Sequence, residues 1–265
     1  MLRVVHSFLI ITGLFASSQV VQAKLVAEEV DYKDNKTALR GYLVYDDSVK
    51  GKRPGVLVVH EWWGHNAHAR NSARKLASLG YTAFAVDMYG KGILVDHPKD
   101  AARFSGQFSK SPALVKSRFN AALKVLQAHT TVSKDRIAAI GYCFGGRIVL
   151  EMARSGAPLK AVASFHGSPV TSSPAKKGQM KASVRFYLGA EDPFVTAKQL
   201  ADFKTEMTKA GVQFKVILYK GAKHSFTNPG ADVFGKKFKL PLAYNKEADH
   251  ASWKDMSDFL KDVFK

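Results

Sequence analysis

Short runs of apolar and β-branched residues recur along the chain, and between them apolar residues return every three or four positions. Runs of the first kind are typical of buried strands. They predict strands at Val56–Glu61, Thr82–Gly90, Arg136–Tyr142, Ala161–Gly167, Val184–Ala190 and Phe214–Ala222. The second pattern predicts helices that contain Val115–Leu126, Leu200–Met207 and Trp253–Val263. We assign these helical stripes to the core and to no function.

Strands that alternate with helices predict a parallel sheet covered by helices on both faces. The segment from Leu25 to Asp47 differs, because it contains two strand patterns with no helical pattern between them. It predicts an antiparallel hairpin at the edge of the sheet. No internal repeat, low-complexity tract or interdomain linker interrupts residues 24–265. The sequence therefore predicts a single α/β domain over residues 24–265, with a mostly parallel central sheet.

Residues 1–23 have a pattern of another kind. Arg3 precedes an apolar run from Phe8 to Phe15, and the small residues Val21 and Ala23 follow. This order indicates a secretory signal peptide cleaved after Ala23. The apolar run is short for a bilayer span, although an uncleaved anchor is the alternative. We therefore expect a periplasmic or secreted protein without a membrane span after cleavage.

The sequence is strongly basic. Its 265 residues carry a formal net charge of +18, to which residues 1–23 contribute only Arg3. A basic surface attracts anions, so an anionic substrate or an anionic envelope surface is compatible with this charge. The lysines are scattered and no nucleic-acid-binding motif is present, so we expect no nucleic-acid partner. We expect a monomer.

The single cysteine, Cys143, lies between Gly141 and Gly145, after a predicted strand and before a helix predicted at Arg147–Arg154. The pattern G-x-nucleophile-x-G at a strand-to-helix turn is typical of a nucleophile elbow. The following helix directs its positive end at the thiol and favours a thiolate. The backbone N–H of Phe144 then becomes one donor to an oxyanion. The alternative is a buried cysteine that serves only in packing.

A thiol nucleophile needs a base, and the base needs an orienting acid. Asp192 follows the predicted strand Val184–Ala190, and His224 follows the strand that begins at Phe214. Nucleophile, acid and base in this chain order are expected of the topology, and ligands bind at carboxyl ends of parallel strands. The pattern predicts a Cys-His-Asp triad. The alternatives are a turn aspartate before Pro193 and a surface-loop histidine.

Four further histidines are candidates for other roles. His60, His65 and His68 cluster near Glu61 with spacings that a metal site uses. No matching set of further ligands accompanies them, so we expect no metal and no cofactor. His166, at the end of a predicted strand, is expected to line the substrate pocket.

With these residues the chain resembles the dienelactone hydrolases, a branch of the α/β-hydrolases with a cysteine nucleophile. The resemblance covers nearly all of residues 24–265 and rests on VVHEWWG (Val58–Gly64), GYCFGG (Gly141–Gly146), LGAEDPF (Leu188–Phe194) and GAKHSFTNPG (Gly221–Gly230). It implies an α/β-hydrolase fold with helices on both faces of the sheet. It also implies that Cys143 is the nucleophile, His224 the base and Asp192 the acid.

The resemblance assigns roles to the residues around this triad. Glu61 takes the place of the family's glutamate that contacts the thiol and helps to convert it into a thiolate. The backbone N–H of Trp62 is the second oxyanion donor. Further pocket residues are expected to be Trp63, Tyr89, Lys91, Phe104, His166, Phe226 and the segment Thr227–Glu247.

Two positions depart from the family pattern. Enzymes that cleave dienelactone hold its carboxylate with two arginines, whereas this chain has Lys91 near one position and Asn228 at the other. Lysine lacks the guanidinium fork. The resemblance therefore implies hydrolysis of a small ester or lactone, with a general carboxylesterase or thioesterase as the alternative. Outside this class, the alternatives are a non-catalytic thiol redox protein and an anion-binding envelope protein.

Overall fold

The computed structural model describes residues 24–265, so the predicted signal peptide at residues 1–23 lies outside the described residues. The described chain forms eight strands and seven helices. The strands are β1 (Leu25–Asp34), β2 (Thr37–Asp46), β3 (Arg53–Val59), β4 (Thr82–Val86), β5 (Val132–Tyr142), β6 (Ala161–Phe165), β7 (Ser183–Gly189) and β8 (Phe214–Tyr219). The helices are α1 (Ala67–Ser78), α2 (Pro98–Lys110), α3 (Pro112–Ala128), α4 (Phe144–Arg154), α5 (Ala197–Ala210), α6 (Ala231–Phe238) and α7 (Lys246–Val263).

All eight strands form one sheet in the order β1-β2-β4-β3-β5-β6-β7-β8. Neighbours from β4 through β8 are parallel. The strands β1 and β2 form an antiparallel hairpin, and β2 joins β4 in antiparallel orientation. The predicted fold class, a mostly parallel sheet with an antiparallel N-terminal edge, is confirmed.

Both faces of the sheet are covered by helices. Alternate residues of β3 belong to different core layers, with Leu57 and Val59 in one layer and Val56 and Val58 in the other. The first layer contains apolar residues of α2, α3, α4 and α5, whereas the second contains those of α1 and α7. Because successive side chains of a strand point to opposite faces, a continuous apolar run is the pattern of a strand buried on both sides.

Five of the six strands predicted between residues 56 and 222 end earlier at their carboxyl ends than predicted. The strand β3 ends at Val59 and not at Glu61, β4 at Val86 and not at Gly90, and β6 at Phe165. The polar residues beyond these ends do not continue the strand pairing, because within the sheet their side chains would point into one of the two apolar core layers. These short extensions supply much of the functional site.

Two helix boundaries also differ from the predictions. The helix α4 begins at Phe144 and not at Arg147, because the tight turn at Cys143 leads directly into it. The segment Thr227–Glu247 contains the helix α6, which its many turn residues did not predict. Within residues 24–265, no helix has the length and apolar character required to cross a membrane.

Candidate active site

Cys143 occupies the turn between β5 and α4 with φ 52° and ψ −112°, a conformation that costs a non-glycine residue about 1–3 kcal/mol. Two glycines make the turn sterically possible. A Cβ atom at Gly141 would overlap the backbone carbonyl of Gly145, and a Cβ at Gly145 would overlap the carbonyl of Val59. The elbow therefore depends on close backbone approach at these two positions.

Backbone hydrogen bonds hold the elbow against neighbouring strands. The N–H of Cys143 is shared between the carbonyl of Phe165 (2.9 Å) and Nδ1 of His166 (3.1 Å). Within the described chain, the N–H groups of Phe144 and Trp62 have no protein acceptor, and both residues line the pocket in front of Cys143. Free N–H groups at such a place are suited to hold an oxyanion.

Asp192 and His224 are joined by a hydrogen bond of 2.8 Å between Oδ2 and Nδ1. Both residues are buried, with exposed fractions of 6% and 7%. Oδ1 of Asp192 also accepts the N–H of Phe194 at 2.9 Å, which fixes the carboxylate. The loops after β7 and β8 carry the two side chains to the edge of the sheet where the elbow lies.

The surroundings of His224 favour its protonated form. Burial by itself lowers the pKa of His224, but the Cys143 sulfur and the Asp192 carboxylate together raise this pKa to about 10. An imidazolium that persists above neutral pH beside a thiol is the arrangement that stabilises a thiolate.

Glu61 is almost fully buried, but its contacts lead away from the nucleophile. Its Oε2 accepts a hydrogen bond of 2.5 Å from Nδ2 of Asn228, and its Oε1 has no hydrogen-bond partner among the described residues. Asn228 occupies the position of one of the two family arginines. Glu61 is therefore hydrogen-bonded to Asn228, the residue that departs from the family pattern. Among the described residues it forms no hydrogen bond with Cys143.

The other histidines follow different patterns. Nδ1 of His60 lies 2.5 Å from the carbonyl oxygen of Glu61, and its Nε2 accepts the N–H of Met88 at 3.3 Å. Within residues 24–265, no three His, Cys, Asp or Glu side chains form a cluster suited to a metal ion. His166 lines the pocket, as the sequence predicted.

A pocket of about 280 Å³ opens in front of Cys143. Of the predicted residues, Cys143, Phe144, Trp62, His166 and His224 line it, whereas Asp192 and Glu61 are not among its lining residues. The remaining lining residues are Ser105, Ser109, Arg147, Gly167, Ser168, Phe194, Val195, Leu240 and Leu242.

Two of the predicted pocket aromatics support the wall from behind. Trp63 is buried and stacks on Phe234 of α6, with ring centroids 4.1 Å apart. Tyr89 is buried and donates a hydrogen bond of 3.0 Å to the carbonyl of Trp62. Phe104 stacks on Tyr89 and is likewise absent from the pocket lining. Neither aromatic character nor a position after a strand distinguishes a residue that lines the pocket from a residue that packs behind the lining.

Lys91 and Phe226 lie farther from the pocket. Lys91 forms an exposed ion pair of 2.7 Å with Asp31 of β1, outside the pocket. Phe226 is fully buried in the core layer that contains α1 and α7. Lys91 therefore does not replace the family's arginine at this site.

Arg147 is one of the lining residues that the sequence analysis did not assign to the pocket. It lies on α4, four residues after Cys143, and donates a hydrogen bond of 2.5 Å from Nη1 to Oγ of Ser109. Residues four apart share a face of a helix, so the elbow spacing was a usable signal. Leu240 and Leu242 line the pocket and belong to the segment Thr227–Glu247 that was expected there. Ser109 on α2 had no comparable signal because its place depends on tertiary packing.

Comparisons with known proteins agree with this geometry. Residues 39–264 match the model of the dienelactone hydrolase family. A putative carboxymethylenebutenolidase of Aquifex aeolicus is 30% identical over 218 residues, which cover 80% of this chain and 92% of that protein. The protein usf of Aquifex pyrophilus is also 30% identical, over 77% of this chain and 88% of its own length.

Solved structures give the same result. The crystal structure of a dienelactone hydrolase-like promiscuous phosphotriesterase from metagenomic libraries matches with a TM-score of 0.86 and 36% identity. The match covers 92% of this chain and 100% of that one. With the parallel sheet, the elbow and the family match in agreement, the chain belongs to the dienelactone hydrolase family and is a hydrolase that acts on ester or lactone bonds.

Proposed function

We propose that the protein hydrolyses a small ester or lactone with Cys143 as nucleophile, His224 as general acid and base, and Asp192 as the orienting acid. The observation that carries this proposal is the buried hydrogen bond between Asp192 and His224 next to a strained cysteine elbow that faces a pocket. Nucleophile, base and orienting group in sequence are the requirement of covalent catalysis.

In the proposed first step, Sγ of Cys143 attacks the substrate carbonyl carbon, and the C=O π electrons move to the oxygen. The N–H groups of Phe144 and Trp62 stabilise the resulting oxyanion. When the tetrahedral intermediate collapses, the C–O bond to the alcohol breaks and the alkoxide takes the Nε2 proton of His224. This leaves a thioester on Cys143. A lactone opens without losing its alcohol, which stays tethered to the acyl group.

Water completes the cycle. His224, now neutral, accepts a proton from water as the oxygen attacks the thioester carbonyl. The intermediate collapses, the C–S bond breaks, and Cys143 leaves as a thiolate next to the protonated His224. The product is a carboxylic acid, and the thiolate–imidazolium pair that attacked the substrate is restored. No cofactor enters these steps.

In this proposal Glu61 moves from Asn228 toward Cys143 when substrate binds and accepts the Sγ proton of the thiol, which leaves the thiolate that attacks the substrate. The hydrogen bond from Asn228 and the unpartnered Oε1 support this role. A neutral amide holds a carboxylate less strongly than a guanidinium does. Glu61 therefore leaves Asn228 at a smaller cost than it would leave an arginine.

The first test compares the protein over residues 24–265 with its Cys143→Ala and Cys143→Ser variants. Initial rates are measured on p-nitrophenyl esters, a thioester, a dienelactone and a phosphotriester. We expect Cys143→Ala to lower kcat/KM by about 10³-fold or more and Cys143→Ser to retain little activity, with unchanged thermal unfolding. Equal rates in all three proteins would exclude Cys143 as the nucleophile and favour the non-catalytic thiol or anion-binding alternatives.

The proposed substrate carries a negative charge near the reacting carbonyl. Arg147 lines the pocket and forms no ion pair with a carboxylate among the described residues. The nearby Glu151 pairs with Arg154 at 2.9 Å. Within the described lining, no Asp or Glu offsets the Arg147 charge. A substrate carboxylate placed between Arg147 and Ser109 would receive charge-assisted hydrogen bonds.

The Arg147→Gln variant tests this substrate preference. The assay compares the p-nitrophenyl monoester of succinic acid with the uncharged p-nitrophenyl pentanoate. We expect kcat/KM to fall about 10- to 100-fold for the anionic ester and less than about threefold for the neutral one. Equal losses for both esters would show that Arg147 supports the pocket without recognising charge.

The proposal includes export of the protein through residues 1–23, on the strength of the basic start, apolar run and small residues described above. Expression of the full chain in a bacterium with two membranes, followed by fractionation and intact mass, tests it. We expect a periplasmic product that begins at Lys24. A full-length product in the membrane fraction would instead indicate an uncleaved anchor.

A further inference from the structure

A second histidine lies next to the proposed base. The His166 ring is fully buried, and its centroid is 5.2 Å from that of His224. It follows β6 directly and has φ 40°, a value that non-glycine residues rarely adopt. The proposed reaction uses only one histidine. The chemistry of the site therefore requires that the two rings be distinguished.

His166 belongs to a chain of hydrogen bonds that starts at the nucleophile. The backbone N–H of Cys143 donates to Nδ1 of His166 at 3.1 Å and is shared with the carbonyl of Phe165. Nε2 of His166 lies 2.9 Å from Oγ1 of Thr227. Oγ1 of Thr227 in turn lies 3.3 Å from Nε2 of His68.

This series of hydrogen bonds has a defined donor-to-acceptor direction. Because Nδ1 of His166 faces an N–H donor, it must accept, and in a neutral ring the proton then resides on Nε2. Oγ1 of Thr227 accepts a hydrogen bond from Nε2–H of His166, and its hydroxyl proton is donated to Nε2 of His68. Proton positions follow here from the requirement that each donor meets an acceptor.

The surroundings disfavour a charge on His166. Burial lowers the pKa of His166 well below its ordinary value, and the neighbouring rings of His224 and His68 lower it further. Burial also lowers the pKa of His68, against the opposing effects of Glu61 and Asp249. The other titratable or charged groups that face the chain are Cys143, Tyr142 and Lys75.

We propose that Thr227 and His68 hold His166 in the uncharged, Nε2-protonated form, so that His166 positions the Cys143 elbow and leaves His224 as the one histidine that exchanges the catalytic proton. His166 is thus a positioning residue, and this inference rests on the proposed function. A protonated His166 would direct an Nδ1–H at the N–H of Cys143. It would also place a second positive charge beside the imidazolium of His224.

Matched variants of Thr227 test the kinetic part of the proposal. Thr227→Val keeps the shape of the side chain but removes the hydroxyl, so the Nε2–H of His166 loses its acceptor. We expect kcat to fall about 10- to 100-fold, while KM for a neutral ester changes less than about threefold. Thr227→Ser keeps the hydroxyl and should restore most of the lost rate. Equal kcat values in the Val and Ser variants would overturn the proposal.

The state of His166 is observable without activity. In the ¹⁵N spectrum of histidine-labelled wild-type protein, we expect an Nε2-protonated neutral ring, assigned by its loss in His166→Asn. Thr227→Val should change this signal and Thr227→Ser should preserve it. An Nδ1-protonated or doubly protonated ring in the wild type would overturn the inference. If the wild type hydrolysed none of the esters yet showed a neutral, Nε2-protonated His166, the proposed function would fail while the assigned tautomer of His166 would stand.

The variant His166→Asn gives a second kinetic measurement. Oδ1 of asparagine occupies nearly the place of Nδ1 and can accept the Cys143 N–H, and asparagine tolerates a positive φ. We expect His166→Asn to retain more of kcat than His166→Leu, which accepts no hydrogen bond. If both folded and both were equally slow, acceptance at Nδ1 would not be the function of this ring.

Discussion

At the residue scale, the candidate site depends on one charge arrangement. His224 keeps a proton because Cys143 and Asp192 outweigh the effect of burial on its pKa. Asp192 is itself held by the N–H of Phe194, so it can orient the ring without moving. Taken alone, each of these residues is also compatible with a non-catalytic role. Their contacts with each other distinguish them from a turn aspartate and a surface histidine.

The pKa of His224 predicts the pH dependence of activity. Its raised value of about 10 means that the imidazolium is present at neutral pH and is lost as pH rises through about 10. We expect an alkaline limb of kcat/KM near that pH in the wild type. In Asp192→Asn, one group that raises this pKa is gone, so the limb should move to lower pH. The rate should fall about 10²- to 10⁴-fold.

The neighbouring residue gives the matched control for this experiment. Glu191 is exposed and precedes Asp192 in the same turn, so Glu191→Gln removes a charge from the same loop without touching the ring. We expect its pH profile to match the wild type. An unchanged alkaline limb in Asp192→Asn, or an equal shift in both variants, would contradict the assigned role of Asp192.

At the element scale, the sharp connection from β5 to α4 determines where the nucleophile lies. The turn exists because Gly141 and Gly145 bring three backbone segments closer than any Cβ allows. The helix α4 then starts at Phe144, with its N-terminal end at the sulfur. A single side chain at this crossing would act on the whole element.

Glycine substitutions test this dependence on close approach. Gly145→Ala places a Cβ against the carbonyl of Val59, and a backbone atom cannot rotate away. We expect a loss of several kcal/mol in the free energy of unfolding, or no folded protein. The control is Gly106→Ala inside α2, where nothing lies within 4 Å of the new Cβ. There we expect a gain of about 0.5–1 kcal/mol. Equal thermal shifts would contradict the packing argument.

The helix α6 packs behind the pocket wall, because its Phe234 stacks on Trp63, and Trp63 contacts the lining residue Trp62. Leu240 and Leu242, just beyond this helix, line the pocket, and Leu242 forms a bridge with His224. We expect Phe234→Ala to raise KM about three- to tenfold with little change in the rate of the chemical step, because Trp63 and the lining residue Trp62 lose support while the elbow is unchanged.

Val233, on the same helix, provides the comparison. Its side chain is 66% exposed, so Val233→Ala removes apolar atoms from α6 without unpacking it from Trp63. Steady-state kinetics of both variants on one ester measure the difference. If Val233→Ala raised KM as much as Phe234→Ala did, the stacking of Phe234 on Trp63 would not be what supports the pocket wall.

At the scale of the whole molecule, the parallel sheet gathers the site. The loops after β3, β5, β6, β7 and β8 all open at one edge, and they supply Trp62, Cys143, His166, Asp192 and His224. These residues are separated by more than 160 positions in sequence. Carboxyl ends of neighbouring parallel strands meet at this edge, which is why open α/β sheets bind ligands there.

The net charge of +18 acts over the whole surface and predicts a salt effect. For an anionic ester, kcat/KM should fall as ionic strength rises, because screening weakens attraction by the basic surface. For a neutral ester of the same shape it should stay nearly constant. In Arg147→Gln the anionic ester should keep part of this salt dependence, since the remaining charges are unchanged. A flat response of the wild type would contradict long-range attraction.

The sequence by itself predicted the eight strands of the described residues, four of the seven helices there, and the candidate residues with reactive chemistry. Apolar runs and helical spacing predict strands and helices because these patterns reflect local geometry. The G-x-C-x-G pattern located Cys143 for the same reason, and chain order added Asp192 and His224. Strand ends were predicted less well, since an apolar run does not mark where the backbone leaves the ladder.

Only the tertiary structure decided which of the remaining side chains reach the pocket. Trp63, Tyr89 and Phe226 were predicted to line the pocket but lie in packed layers, whereas Arg147, which was not predicted there, lines it. The relation between Glu61 and Asn228 joins residues 167 positions apart. The physical reason is that lining and pairing depend on the relative placement of distant elements, which no local pattern records.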